Sequence, residues 1–193
     1  MRHRLGIFLF NEVEVLDFAG PFEVFAVADQ IHDYQHFEVF TFAQSREPIR
    51  AVNGLSVNPD YAISEVSELD ILLVPGGDGS KALLQDQELM DLLAELQSKA
   101  ELTASICSGA RVLAKWGLLD GKPYCTHHAV YADLAKLAPS GVPKPDLRFT
   151  GGEGVYTAAG IAAGIDLSLH LVGLLKGEEV AETTARYMEY PYR

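Results

Sequence analysis

The sequence predicts an α/β fold, a layered sandwich of helices around a mostly parallel β-sheet. Short apolar runs alternate along the chain with segments of helical periodicity. The strand-like runs are apolar throughout rather than at every second residue, which is typical of strands buried on both faces of a parallel sheet. The chain has 193 residues with no repeat or linker-like stretch, so residues 1–193 are expected to form a single domain.

The elements follow one another in a regular order. Strands are predicted at residues 4–10, 37–43, 69–74 and 103–106, and β-branched and aromatic residues dominate the second of these runs. Helical patterns lie at residues 18–30, 86–100, 110–119, 129–138 and 161–175. Asn53-Gly54 within residues 49–60 is a strong hairpin signal. A second, glycine-rich hairpin is predicted at residues 150–160, before the last helix.

Composition excludes several classes of function. The formal net charge of −12 would repel phosphate backbones, so nucleic acid is not an expected partner. The longest apolar runs have the length of strands and are too short to span a membrane. The apolar run near the N-terminus is too short for a signal peptide. Two cysteines without a CxxC spacing therefore predict free thiols in a reducing cytoplasm.

Cys107 is the candidate nucleophile. It stands between a strand and a helix in the string Ser105-Ile106-Cys107-Ser108-Gly109. Small residues two before and two after a nucleophile are typical of an elbow turn that is too tight for larger side chains. Such a turn would expose the sulfur near a helix N-terminus, which favours the thiolate over the thiol. The alternative is an ordinary strand-to-helix junction with a buried cysteine.

Other candidate site residues follow two neighbouring strands. In a parallel sheet, chemistry collects at the carboxyl ends of the strands. Gly76 and Gly77 follow the strand at 69–74, and the N–H groups of Gly77 and Ser108 are candidate donors to an oxyanion. Gly77 could also be needed for a positive φ angle alone. Asp17 follows the first strand, and its position by itself favours a plain helix cap.

Four segments together carry a resemblance to a known family. They are LDFAGPFEVF at residues 16–25, DILLVPGGDG at 70–79, SICSGARVLAKWGLLDGKPYCTHH at 105–128 and TAAGIAAGIDLSLHLV at 157–172. With these segments the chain resembles the ThiJ/PfpI superfamily, and most closely its isonitrile hydratase branch. The amino-terminal halves of some AraC-type regulators are similar too. The resemblance implies a three-layer, flavodoxin-like sandwich of the class I glutamine amidotransferase type.

The resemblance also implies functions for individual residues. It implies a reactive nucleophile at Cys107 and, in place of a cap, an acidic partner of its sulfur at Asp17. Further residues of the implied site are Gly77, Ser108, His127 and Asp166. For Asp166 a buried carboxylate that packs helices is the alternative. His128 stands where hydratase-like members have Trp, which makes the pocket wall more polar. Because adjacent histidines on a strand point to opposite faces, no metal site is expected at His127 and His128.

The implied activity is hydration of an isonitrile to an N-substituted formamide. Cys107 would form a thioimidate, Asp17 would act as the acid, and no cofactor is required. One alternative is glyoxalase or deglycase chemistry on α-oxoaldehydes. Another is non-enzymatic sensing of a ligand, or of oxidants through Cys107, as in a regulator domain. A small molecule is the expected partner for the enzymatic and ligand-sensing alternatives.

A homodimer is expected for two reasons. Members of the superfamily are commonly homodimers. The helix at 18–30 also has a wide apolar surface that includes Phe18, Phe22 and Phe25, more than one core-facing side needs. An isologous two-fold contact would cover it. The alternative is that neighbouring helices of the same chain do so.

Overall fold

A seven-stranded, mainly parallel sheet organises the chain. The structure is a computed structural model that describes residues 2–192. Its strands are β1 (His3–Phe8), β2 (Phe37–Ala43), β3 (Ile49–Arg50), β4 (Ser56–Val57), β5 (Tyr61–Ala62), β6 (Ile71–Val74), β7 (Leu102–Ile106), β8 (Pro123–Tyr124), β9 (Val142–Pro143), β10 (Phe149–Gly152) and β11 (Val155–Ala158). Its helices are α1 (Val15–Gln30), α2 (Ser80–Leu83), α3 (Gln87–Lys99), α4 (Ala110–Lys115), α5 (Tyr131–Leu137), α6 (Ala163–Lys176) and α7 (Glu178–Tyr187).

The order of the large sheet is β10-β11-β7-β6-β1-β2-β5. All neighbours are parallel except β10, which pairs antiparallel with β11. Every residue of β6 and β7 is buried, as the uniformly apolar runs predict for strands covered on both faces. Val74 pairs with Ser105, so β6 and β7 end side by side and deliver their following turns to one edge of the sheet.

Two groups of helices flank this sheet. Helix α1 packs against α6 and α7, whereas α4 packs against α2 and α5. The predicted three-layer α/β sandwich is therefore confirmed. Among residues 2–192, no helix is both long and apolar enough to cross a bilayer.

Helix α1 is covered largely by its own chain. Strand β2, α6 and α7 all contact it, and Phe18 and Phe25 are buried there, while Phe22 is partly buried against the same core. Leu16 remains 37% exposed. Neighbouring elements thus account for most of the apolar surface from which a partner subunit was inferred.

Local signals identify both hairpins and misjudge some element bounds. Strands β3 and β4 pair around Asn53, whose φ is 65°, and β10 and β11 form the second hairpin. Helix α4 ends at Lys115, four residues before the predicted end, because Gly117 adopts a φ of 75°. Helix α7 and the two-residue strands β5 and β9 were not predicted.

Candidate active site

The turn after β7 has the backbone that a nucleophile elbow requires. Cys107 has a φ of 57°, in the left-handed region that a residue other than glycine seldom adopts. A Cβ atom at Gly109 would lie 2.2 Å from the carbonyl oxygen of Val74, so glycine is needed two residues after the cysteine. Ser105, two residues before it, is fully buried. The predicted tight turn is present, and an ordinary junction is excluded.

The sulfur lies at the floor of a cleft of about 270 Å³. Cys107 is only 7% exposed, so the expectation of a sulfur exposed at the sheet edge is wrong. The cleft is lined by residues of several loops and helices, among them Glu14, Gly77, Asp78, Lys81, Ser108, Arg111, His127 and Ile161. Charged side chains of both signs therefore surround a small opening above the thiol.

Asp17 lies beside Cys107 and is completely buried. It occupies the first turn of α1, and the N-cap of that helix is Glu14, so the interpretation of Asp17 as a cap is wrong. Its Oδ2 accepts a hydrogen bond of 2.9 Å from the N–H of Gly76. Its Oδ1 has no nitrogen or oxygen partner among the described residues. One carboxyl oxygen is therefore anchored, and the other is free to exchange a proton.

Burial raises the pKa of both groups in this pair. The pKa of Asp17 rises to about 7, chiefly through loss of hydration. The pKa of the Cys107 thiol rises to about 12, through burial first and the Asp17 charge second. The N–H groups of Ser108 and Ile161 donate toward the sulfur and lower its pKa, but burial outweighs them. These shifts oppose the predicted preference for a free thiolate, because burial and the Asp17 charge both raise the pKa of the thiol.

Backbone N–H groups expected to bind an oxyanion are already engaged. The N–H of Gly77 donates to the Ser108 hydroxyl at 2.9 Å, that of Ser108 donates toward the Cys107 sulfur, and that of Gly76 donates to Asp17. A Cβ atom at Gly76 would lie 2.5 Å from the Ser108 nitrogen and 2.8 Å from Asp17 Oδ2, so these loops touch directly. Gly77 also has a φ of 124°, which suits glycine. Gly76, Gly77 and Ser108 therefore hold Asp17 and Cys107 in position.

A buried arginine, missed in the sequence, supports this arrangement. Arg111 donates to the Ser80 hydroxyl at 2.9 Å and binds Asp133 with two nitrogens of its guanidinium group. Ser80 in turn donates to the carbonyl of Gly77 and lies 3.3 Å from the Ser108 hydroxyl. The sequence did contain one indication of this function: Arg111 is a charged residue within the apolar pattern of residues 110–119, and charged residues seldom occupy positions that pack inward.

His127 lies at the rim of the same cleft. Burial first, and His128 second, lower its pKa, so the ring is neutral at pH 7. Its Nδ1 accepts from the N–H of Ala129 at 3.3 Å, which leaves the proton on Nε2. The residues are not in a strand, since His128 begins a short 3₁₀ helix and the two ring centroids are 4.1 Å apart. The premise that they point to opposite faces is wrong. The described residues contain no group of three or more potential metal ligands.

Asp166 is placed away from the cleft. Its Oδ2 accepts from both Arg148 Nε, at 2.8 Å, and Arg148 Nη2, while its Oδ1 accepts from the Tyr190 hydroxyl. It is absent from the residues that line the cavity above Cys107. Asp166 therefore resembles the packing carboxylate of the alternative interpretation, linking α6 to the loop before β10 and to the chain after α7.

Alkylation is expected to distinguish the two thiols. Cys125 is fully buried, its sulfur donates to the carbonyls of Lys144 and Leu147, and burial raises its pKa to about 11. Access favours Cys107 despite its higher pKa, because Cys107 lines the cleft and Cys125 does not. Iodoacetamide at pH 8 should label Cys107 at least ~10-fold faster in the folded protein. Peptide mass spectrometry measures both rates, and equal labelling would contradict this expectation.

The pKa of Asp17 also predicts how stability changes with pH. Because the folded-state value of about 7 exceeds the ordinary 3.8, the folded protein retains a proton that the unfolded chain loses. The stabilisation is complete below pH 4 and is lost as pH rises through 7, by up to about 4 kcal/mol. Urea unfolding at pH 4.5 and pH 8 should show this loss in the wild type. Asp17→Asn should lack it, and a parallel loss in the variant would refute the assignment.

Comparison with known proteins agrees with this geometry. The DJ-1/PfpI family profile matches residues 3–174. Isonitrile hydratase of Pseudomonas putida is 31% identical over 190 residues, which cover 98% of this chain and 79% of that protein. The HTH-type transcriptional regulator GbdR of Pseudomonas aeruginosa is 25% identical over 186 residues, 96% of this chain but 50% of the regulator.

A solved structure shares the whole fold. The crystal structure of a ThiJ/PfpI family protein from Pseudomonas syringae superposes with a TM-score of 0.89 and 26% identity, covering 100% of this chain and 77% of that one. The match along the sequence and the shared α/β architecture lead to one conclusion: the chain belongs to the DJ-1/PfpI family.

Proposed function

We propose that the protein is an enzyme that hydrates an isonitrile to an N-substituted formamide. The observation that carries this proposal is the buried pair of Cys107, in a left-handed turn, and Asp17, whose raised pKa of about 7 lets it carry a proton near neutrality. The likeness to isonitrile hydratase supports the substrate class. The reaction needs a free thiol and no cofactor, so we place the protein in a reducing compartment such as the cytoplasm.

The proposed reaction has two stages. The Cys107 thiol gives its proton to the Asp17 carboxylate as the sulfur attacks the terminal carbon of R–N≡C, and Asp17 delivers that proton to the carbon, which gives the thioimidate R–N=CH–S–Cys. Asp17, now a carboxylate, takes a proton from a water molecule that adds to the same carbon. Asp17 passes this proton to the nitrogen, the C–S bond breaks as the proton of the added hydroxyl is transferred through Asp17 to the leaving sulfur, and R–NH–CHO leaves with the Cys107 thiol restored. His127, which offers Nε2–H at the rim of the cleft, can donate a hydrogen bond to the substrate nitrogen.

The engaged N–H groups favour an isonitrile over an α-oxoaldehyde. Attack on a carbonyl places negative charge on oxygen, which requires free donors in its vicinity. The N–H groups of Gly76 and Gly77 are occupied by Asp17 and the Ser108 hydroxyl, and that of Ser108 by the Cys107 sulfur. Attack on an isonitrile instead places charge on the carbon beside sulfur, where a proton from Asp17 neutralises it.

A substrate panel tests this proposal. Purified protein is incubated with alkyl and aryl isonitriles and, separately, with methylglyoxal, and products are identified by mass spectrometry and NMR. Formamide formation is the expected result. Lactate formation from methylglyoxal alone would replace the proposal with the glyoxalase alternative. Saturable binding without turnover of any compound would favour a sensing domain, the class to which the GbdR likeness points.

The homodimer remains a separate prediction. Leu16 on α1 is 37% exposed, and a two-fold contact could cover such a side chain. Sedimentation equilibrium at micromolar concentration should give about twice the single-chain mass of 21.0 kDa. A value near 21.0 kDa would rule out the dimer.

A further inference from the structure

A second compartment adjoins the cleft above Cys107. It is an open depression of about 500 Å³ with a mainly apolar surface, and its lining includes Thr126, His128, Tyr131, Pro145, Ala159 and Ala162. His127 and Ile161 line both spaces. These two residues therefore stand between a small cleft with charged walls and a larger space suited to hydrocarbon.

Ile161 occupies this boundary at a conformational cost. Its φ is 50°, and a β-branched residue in the left-handed region is a clear outlier. The side chain is 37% exposed and lies outside the buried core, so folding gains little from it. Its N–H donates toward the Cys107 sulfur. A strained, half-open isoleucine beside the reactive atom points to a ligand contact.

The adjacent glycine fixes the other side of the boundary. A Cβ atom at Gly160 would lie 2.3 Å from Cδ2 of His127, so the loop before α6 rests directly on the imidazole ring. The ring and the isoleucine are thereby held together. The cleft itself combines the charged side chains of Glu14, Lys81 and Arg111 with apolar residues such as Val52 and Val130, so it is less suited to a hydrocarbon group than the second compartment.

We propose that the second compartment binds the hydrocarbon substituent of the substrate. The reactive carbon then lies over Cys107, and an alkyl or aryl group passes His127 and Ile161 into the apolar space. This inference deepens the proposed function by naming the substrate class as an electrophile with an apolar substituent. It also holds for any electrophile that reacts at Cys107, so it can be tested without turnover.

Alkylation by two probes provides that test. Iodoacetamide and N-benzyl-iodoacetamide both transfer their acetamide carbon to the Cys107 sulfur and release iodide. Each second-order rate constant is divided by the rate constant for free 2-mercaptoethanol. Burial of a benzyl group is expected to favour the benzyl probe by about 10-fold or more in the wild type. Equal normalised rates would overturn the proposal.

Two substitutions locate the effect. Ala162 is exposed at the start of α6, so Ala162→Trp can fill the compartment without disturbing the core, and the benzyl preference should fall about 10-fold. Ala135 lies on the exposed side of α5 and lines neither space, so Ala135→Trp is the matched control and should keep the preference. Retention of the preference in Ala162→Trp would refute the assignment. A benzyl preference in a protein that hydrates no isonitrile would uphold the compartment and reject only the hydratase proposal.

Discussion

Replacement of Cys107 by alanine is expected to lower isonitrile turnover by at least ~10³-fold, because the thioimidate cannot form without the sulfur. Alanine leaves the turn intact except for one atom at the floor of the cleft, and the neighbouring Gly76–Asp17 hydrogen bond does not involve it. Formamide release measured by mass spectrometry gives the rate for both proteins.

The second thiol supplies the matched control. Cys125 is fully buried and lies outside the residues that line the cleft, so Cys125→Ala should retain turnover close to wild type. Thermal unfolding establishes that both variants are folded. Unchanged turnover in Cys107→Ala would exclude covalent catalysis at this residue.

Asp17→Asn is expected to lower turnover by about 10²- to 10⁴-fold, the usual contribution of a general acid or base. The carboxamide can still accept the N–H of Gly76, so the loop contact survives, but it cannot deliver and recover a proton. The same change removes the negative charge that raises the pKa of Cys107. Turnover should therefore fall while the thiol becomes easier to ionise.

This opposite behaviour separates a proton-transfer function from a structural one. Iodoacetamide should alkylate Cys107 of the variant faster than that of the wild type at pH 9, because the thiolate fraction is larger. Loss of both turnover and alkylation would mean that the carboxamide side chain distorts the turn. Full turnover in the variant would remove Asp17 from the reaction.

Apolar runs and turn-forming residues in the sequence predicted most of the fold. Short apolar runs such as Ile71–Val74 favour strands buried on both faces, and Asn53-Gly54 has the backbone freedom that a hairpin needs. Helix α7 was not predicted, because its buried residues, Ala181, Thr184 and Ala185, are small and produce little apolar periodicity. Strand β5 has two residues and carries no pattern at all.

The spacing of small residues in the sequence predicted one part of the site, the tight turn at Cys107. Ser105 and Gly109 flank the turn at Cys107, and the structure contains that turn. The thiolate preference could not be judged, since the effect of burial depends on residues far apart in the chain. Asp17 and Gly76 are separated by 59 positions, and Gly77 and Ser108 by 31. Ile161 gave no signal, because a left-handed isoleucine contradicts its usual preference.

The left-handed backbone at Cys107 determines how this protein would respond to selection for heat resistance. Glycine adopts a φ of 57° freely, whereas an L-residue with a side chain is disfavoured there by roughly 1 kcal/mol. A library screened only for survival of heating would therefore enrich glycine at this position, together with uncharged residues at Asp17. Its best-surviving members would be inert. Directed evolution of a hardier enzyme should keep both positions fixed and draw its gains from surface positions such as Ala135.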